Sequence, residues 1–290
     1  MPELPEVQTI VDDLNKKILG RKINGVWFDA PKIIKEPRGR GLEKQIKGLK
    51  ITTVKRRGKN ILIYLSRDFL LLIHQKMTGH LLVGKWQIAN RKPIPSISGP
   101  IKEKVNDYIH IIFYLDNGWM LGLSDLRKFA KVLFGQKEKI EKMPDLAKLG
   151  VEPLDKNFTF FKFRNLIHAE TRKIKQVLID QEVIAGIGNI YSDEILWRAK
   201  IHPFKPANKL NEAELKKIYA ATREILKKAI KLRGTSISDF RDTSGKEGAY
   251  ATVRYAYQRE DEPCPRCKTP IRRIKLGGRS AHYCPKCQKL

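Results

Sequence analysis

The chain has 290 residues, 41% of them hydrophobic, with 58 Lys+Arg against 31 Asp+Glu and a formal net charge of +27. This length and apolar content suit one large domain or two ordinary ones with a small appendage, and exclude a disordered tail. No apolar run reaches the length of a membrane span and no charged-then-apolar leader opens the chain, while the positive field selects polyanionic partners, nucleic acid ahead of a membrane surface.

Residues 4–19 place Leu4, Val7, Ile10, Val11, Leu14 and Ile18 at helical spacing, and Gly20 ends the pattern. Short β-type runs follow at 22–29, 51–57, 61–65, 69–73, 108–115 and 119–123, the last two joined by the hairpin turn Asp116-Asn117-Gly118. One helix followed by antiparallel strands predicts a sandwich or flattened barrel. Residues 85–106 hold Pro93, Pro95 and Pro100 with little pattern and read as a mobile loop. After Pro144 the character changes: 158–169, 174–185, 189–200 and 211–233 read as helices, punctuated by Gly186, Gly188, Pro203 and Pro206. The predicted organisation is α+β and multidomain. It comprises a β-sandwich with a flanking helix over 2–143, a helical part over 144–258 and a Cys-bearing tail over 259–290, without internal repeats.

Three stretches carry chemistry. Removal of Met1 from Met1-Pro2-Glu3-Leu4-Pro5-Glu6-Val7 exposes the secondary amine of Pro2 beside a carboxylate. Such an amine can attack an electrophilic sugar carbon and become an iminium. The same residues also suit a plain helix start, with Pro in the first turn and Glu at the positive end of the dipole. In the tail, Cys264-Pro265-Arg266-Cys267 and Cys284-Pro285-Lys286-Cys287 are two CxxC knuckles with sixteen residues between them. That spacing predicts a closed four-thiolate site for one structural zinc ion. Between the knuckles, 271–276 and 280–283 read as a hairpin turning at Gly277-Gly278, with Arg279 placed for phosphate contact. In the helical part, Gly186-Ile187-Gly188 precedes Asn189, which can cap the next helix. Backbone N–H groups at that helix start can seat a phosphate.

Taken together, Pro2-Glu3-Leu4-Pro5-Glu6-Val7, Gly186-Ile187-Gly188-Asn189-Ile190-Tyr191 and the four-cysteine tail resemble the bacterial formamidopyrimidine-DNA glycosylase family, in its order and over nearly the whole length. Leu4 distinguishes the chain from the sister group, endonuclease VIII, which usually carries Gly there. The resemblance implies a helix-two-turn-helix domain over the helical part and a zinc-finger hairpin at the end. Duplex DNA would be held bent between the first two parts. It also implies a bifunctional glycosylase and AP lyase acting in base excision repair on oxidised purines, chiefly 8-oxoguanine opposite cytosine, by β,δ-elimination.

By this resemblance Pro2 is the nucleophile, Glu3 the acid that helps open the sugar, and Glu6 a carboxylate that organises the site. Lys59, in the turn Arg57-Gly58-Lys59-Asn60, assists proton transfer and reaches the phosphate beside the lesion. Asn189 and Arg279 pinch the same backbone, and Arg279 also serves the elimination. A flipped nucleotide leaves a hole in the stack, filled by an apolar wedge while an Arg reads the widowed base. The matching residues are Met77, Arg127 and Phe129. His74, His110, Arg172 and Lys175 are expected to contact DNA. Gln75 and Lys76 replace an apolar-then-small pair, Leu126 stands where Pro is frequent, and the loop 85–106 is longer than usual. Residues 235–257 resemble the loop that folds over the flipped base. The expected partner is damaged duplex DNA, bound by a monomer in the bacterial cytoplasm at the nucleoid. A pyrimidine-preferring enzyme of the same fold and a zinc-bearing DNA or RNA binder without chemistry are the alternatives.

Overall fold

A computed structural model describes residues 1–38, 41–237 and 239–290. They form two compact units: 1–147 with 232–251, and 148–231 with 252–290. The segment 232–251, which the sequence pattern groups with the helical part, therefore packs within the first unit.

Unit 1 begins with α1 (Leu4–Lys17), followed by β1 (Ile23–Phe28), β2 (Ile34–Glu36), α2 (Gly41–Ile46), β3 (Ile51–Arg57), β4 (Asn60–Leu65) and β5 (Phe69–His74). β6 (His80–Gly84), β7 (Trp86–Ala89), β8 (Lys92–Pro95), β9 (Ile109–Leu115), β10 (Met120–Ser124), β11 (Lys131–Gln136), α3 (Lys137–Glu141) and α4 (Pro144–Ala147) complete it. Two sheets form, ordered β1-β9-β10-β6 and β2-β11-β5-β4-β3. Pairing is antiparallel except between β11 and β2. Every second residue enters one core, as the two-residue strand period requires: Ile61 and Ile63 of β4, Ile111 and Phe113 of β9, and Val132 and Phe134 of β11. The apolar stripe of α1 (Val7, Ile10, Val11, Leu14) joins that core, so the predicted sandwich with a flanking helix is present. Asn15 fixes the helix to an edge strand: its side-chain amide donates to the carbonyl of Val54 at 2.8 Å and accepts from the same residue's N–H at 3.1 Å.

The segment 85–106 is not the featureless loop its prolines suggest. β7 and β8 pair as a hairpin, and two 3-10 turns follow at Pro100–Lys102 and Lys104–Asn106. Trp86, Ile97 and Ile101 cover the outer face of the four-stranded sheet in a second apolar cluster with Leu82, Ile109 and Ile112. Gly84 makes room for this packing. A Cβ there would stand 2.2 Å from Ile101 and 2.9 Å from the Trp86 ring.

Unit 2 holds α5 (Phe160–His168), α6 (Ile174–Ile179), α7 (Asn189–Ala199), α8 (Glu212–Lys231), and the hairpin β12 (Arg272–Leu276) with β13 (Arg279–Tyr283). α6 stops six residues before the predicted end. The Gln181 side chain donates to the carbonyls of Ile179 and Ile187, each at 2.7 Å, and accepts from the Gly186 N–H at 2.9 Å, closing a turn in place of further helix. Among the described residues no helix is long and apolar enough to cross a membrane.

Candidate active site and nucleic-acid interface

The N-terminus of α1 is a buried acidic corner. Glu3 and Glu6 are 3% and 1% exposed. The Glu3 N–H donates to Glu6 Oε2 at 2.8 Å, while Glu6 Oε1 accepts from the Thr235 N–H at 2.7 Å. Both Glu6 oxygens are thereby occupied. This carboxylate ties the first turn of the helix to a segment far along the chain and is a positioning group. Lys59, buried at 5% exposure, enters from the β3–β4 turn. Arg56 sets that turn against α1 by donating to Gln8 at 3.0 Å and to the Gly58 carbonyl at 2.9 Å. In the structure the terminal amine is that of Met1. Burial pushes it below its ordinary 8.0, the Glu3 and Glu6 carboxylates oppose the shift, and Lys59 adds to it. Four groups expected to act together (Pro2, Glu3, Glu6 and Lys59) thus lie around one amine of depressed basicity.

The residues expected to fill the vacated stack stand on two turns joined by Asp125, which is fully buried. Its carboxylate accepts from the Thr78 hydroxyl and from the N–H groups of Arg127 at 3.3 Å and Ala130 at 2.7 Å. Met77 and Phe129, 46% and 52% exposed, project from these turns, and the Arg127 guanidinium lies 4.5 Å from the Phe129 ring centre. Large apolar side chains so exposed are not core residues. Sequence reasoning missed Asp125 and Thr78; an Asp opening a short polar turn was the available signal. His74 accepts the Lys76 N–H on Nδ1 at 3.0 Å, and burial with the Lys76 and Lys59 charges drops its pKa to about 3. It is therefore a neutral imidazole at physiological pH.

In unit 2, Asn189 and Arg279 line one cavity of about 480 Å³ with Arg273, Ser280 and His282. Asn189 does not cap α7. Gly188 holds the cap position in an extended conformation, and Asn189 is the first helical residue, its buried Oδ1 lacking a protein partner. Two further residues expected to contact DNA are held by acidic side chains. Lys175 is fully buried, its ammonium on Asp193 and, at 2.9 Å, on the carbonyl of Ser280. His110, 7% exposed in β9, holds Asp29 at 2.8 Å through Nδ1. The apolar face of α6 carries Lys175 inward to Asp193, and His110 on β9 is held by Asp29. Arg172 is exposed but engaged by Glu170 and Asp180, each at 2.7 Å, which raises its pKa.

The four cysteine sulfurs lie within 4.8 Å of one another. A tetrahedral zinc–thiolate site has S···S edges of about 3.8 Å, so the donor set fits that ion. The Trp197 indole N–H donates to Cys264 Sγ at 3.4 Å. Trp197 is stacked on Tyr255 at 4.4 Å, and the Arg266 guanidinium sits 3.7 Å from its ring centre.

Three family models match the chain: the formamidopyrimidine-DNA glycosylase N-terminal domain over 1–132, its H2TH domain over 149–241, and a zinc finger found in FPG and IleRS over 261–290. A formamidopyrimidine-DNA glycosylase of Pelotomaculum thermopropionicum is 39% identical over 290 residues, covering all of both chains, and one of Listeria monocytogenes is 36% identical over 289 residues with the same coverage. Among solved structures, a Lactococcus lactis FPG mutant bound to Fapy-dG-containing DNA superposes with a TM-score of 0.87 at 32% identity, covering all of both chains. MutM (FPG) of Thermus thermophilus gives 0.83 at 32% identity, over 99% of this chain and 98% of that one. With the β-sandwich, the H2TH helices and the four-cysteine hairpin all in place, the chain belongs to the formamidopyrimidine-DNA glycosylase family.

Proposed function

We propose that this protein is a base-excision-repair DNA glycosylase with AP lyase activity, acting on oxidised purines in duplex DNA. The observation that carries the reading is the corner at the start of α1, where Glu3, Glu6 and Lys59 are buried at 3%, 1% and 5% exposure around the terminal amine. After removal of Met1 the amine is that of Pro2, a buried residue, and burial disfavours the charged form of an amine.

The Pro2 lone pair bonds to C1′ as the glycosidic C–N bond breaks, and the base departs with that electron pair and takes up a proton. The nitrogen then loses its proton while the C1′–O4′ bond opens, O4′ being protonated by Glu3, which leaves an iminium. Loss of a C2′ proton expels the 3′ phosphate, and a second elimination expels the 5′ phosphate. Lys59 and the Asn189–Arg279 pair hold phosphates flanking the lesion, while Met77, Arg127 and Phe129 occupy the vacated stack. Cys264, Cys267, Cys284 and Cys287 would hold one zinc ion whose contribution is structural, fixing the hairpin that carries Arg279.

Borohydride trapping on a duplex with 8-oxoguanine opposite cytosine, beside a dihydrothymine duplex, tests this reading. The expected result is a covalent adduct at Pro2 on the oxoguanine strand, lost in Pro2→Gly. A pyrimidine-only adduct would assign the chain the sister group's preference. No adduct on either, with Pro2 confirmed as the terminus, would remove the chemistry.

A further inference from the structure

The segment 235–249 is a loop within the first unit whose bases, Thr235 and Ala249, pair antiparallel. One base is fixed to the candidate active site, since the Thr235 N–H donates to Glu6. Asp239, beyond it, is among the charges that bear on the terminal amine. Phe240 then enters the sandwich core, and Arg241, Asp242 and Thr243 are buried at 8%, 3% and 0% exposure.

What holds the far side of this loop is the segment 98–107. Gly245, at φ +84°, packs so closely on it that a Cβ would lie 2.9 Å from Asn106 Nδ2 and 2.9 Å from the Ile101 nitrogen. Asn106, 1% exposed, donates to the Pro100 carbonyl at 2.8 Å and meets His80 Nε2 at 2.8 Å through Oδ1. The other ring nitrogen of His80 faces the carbonyl of Thr78, the neighbour of Met77, at 3.3 Å. Arg241 reaches both Glu103 and Glu247, at 3.4 and 2.8 Å. The Val83 N–H donates to the Thr243 carbonyl at 2.8 Å. Through these contacts 98–107 abuts one side of the loop and, through His80, the Met77 turn.

Resting on the glycosylase reading, we propose that the segment 98–107, centred on Asn106, is a specificity-determining brace. It fixes the loop 235–249 beside the amine so that an oxidised base can be held for excision, and it is dispensable for cleavage at a sugar that has already lost its base. Groups that orient a bound base contribute to the step that needs the base, and a small displacement of them is costly there alone.

The test compares single-turnover rates of full-length, zinc-loaded protein with Met1 removed, on an 8-oxoguanine duplex and on an abasic-site duplex. In Asn106→Ala, base excision should fall tenfold or more while abasic-site cleavage stays within twofold. Gly245→Ala, which separates the same surfaces by a Cβ at positive φ, should repeat that split. Glu103→Gln, at a half-exposed position that leaves the packing intact, gives a smaller split of the same sign even if the buried variants fold poorly. Parallel loss of both activities, or no change in either, overturns the brace. Wild-type protein that forms no borohydride adduct on the abasic duplex overturns the underlying glycosylase reading, and the brace with it.

Discussion

Each unit contains one fully buried aspartate that organises the residues around it, and the two are solvated in opposite ways. Asp125 of unit 1 accepts from a hydroxyl and two backbone N–H groups, all neutral donors, and draws together the turns bearing Met77, Arg127 and Phe129. Asp193 of unit 2 accepts from the Lys175 ammonium and from the His282 backbone N–H at 2.9 Å, with the His282 ring nitrogen at 3.0 Å. It thereby binds α7 to the zinc hairpin. The first arrangement shapes exposed loops and the second seals a core. A carboxylate held by dipoles can be removed at the cost of local order, whereas one holding a buried cation cannot leave without stranding a charge.

The largest expected effect follows from that difference. Asp193→Ala should destabilise unit 2 by about 3–5 kcal/mol, because it leaves the Lys175 side chain in a buried site without its counter-ion. The double replacement Lys175→Met with Asp193→Leu should recover most of the loss, as seen in denaturant unfolding. A double variant as unstable as the single one would show that shape, not charge, governs the site. Asp125→Ala should cost less, about 1–3 kcal/mol, by orphaning its donors. Hydrogen exchange should then rise in residues 75–79 and 125–130 while the sheets stay protected. A loss equal to that of Asp193→Ala would erase the contrast. The smallest effect is expected at the metal. Trp197→Phe removes the indole donor to Cys264 but keeps the stack on Tyr255, so zinc affinity measured against a competing chelator should fall about tenfold. Unchanged affinity would separate the stack's packing role from metal binding.

The parts of this molecule that obey a local period were readable from the sequence. β3 spans the residues its alternation predicts, and α1 and α7 lie within a residue or two of their patterns. β6 and β11 were missed because each follows directly on a turn rich in charged and polar residues, which masks a short apolar run. The terminal residues Pro2, Glu3 and Glu6 read locally as a plain helix start, and pointed to chemistry only in combination with Gly186–Tyr191 and the four-cysteine tail. The bond from Glu6 to Thr235 was not legible, since no local pattern reports a contact across more than two hundred residues. The buried partner of Lys175 could have been anticipated. The lysine lies among Ile174, Val177 and Leu178 on the apolar face of α6, where a charge must find a buried partner.

The chain visits unit 1 twice, leaving it at Ala147 and returning for 232–251. The return supplies Phe240 to the core, Arg233 to Asp13 and the N–H that fixes Glu6. Synthesis runs from the amino end, so the terminal amine emerges from the ribosome first yet waits for its last structural partner until residues 148–231 have been made. The order of translation itself therefore leaves the buried corner around Glu6 unfinished until Thr235 has been made.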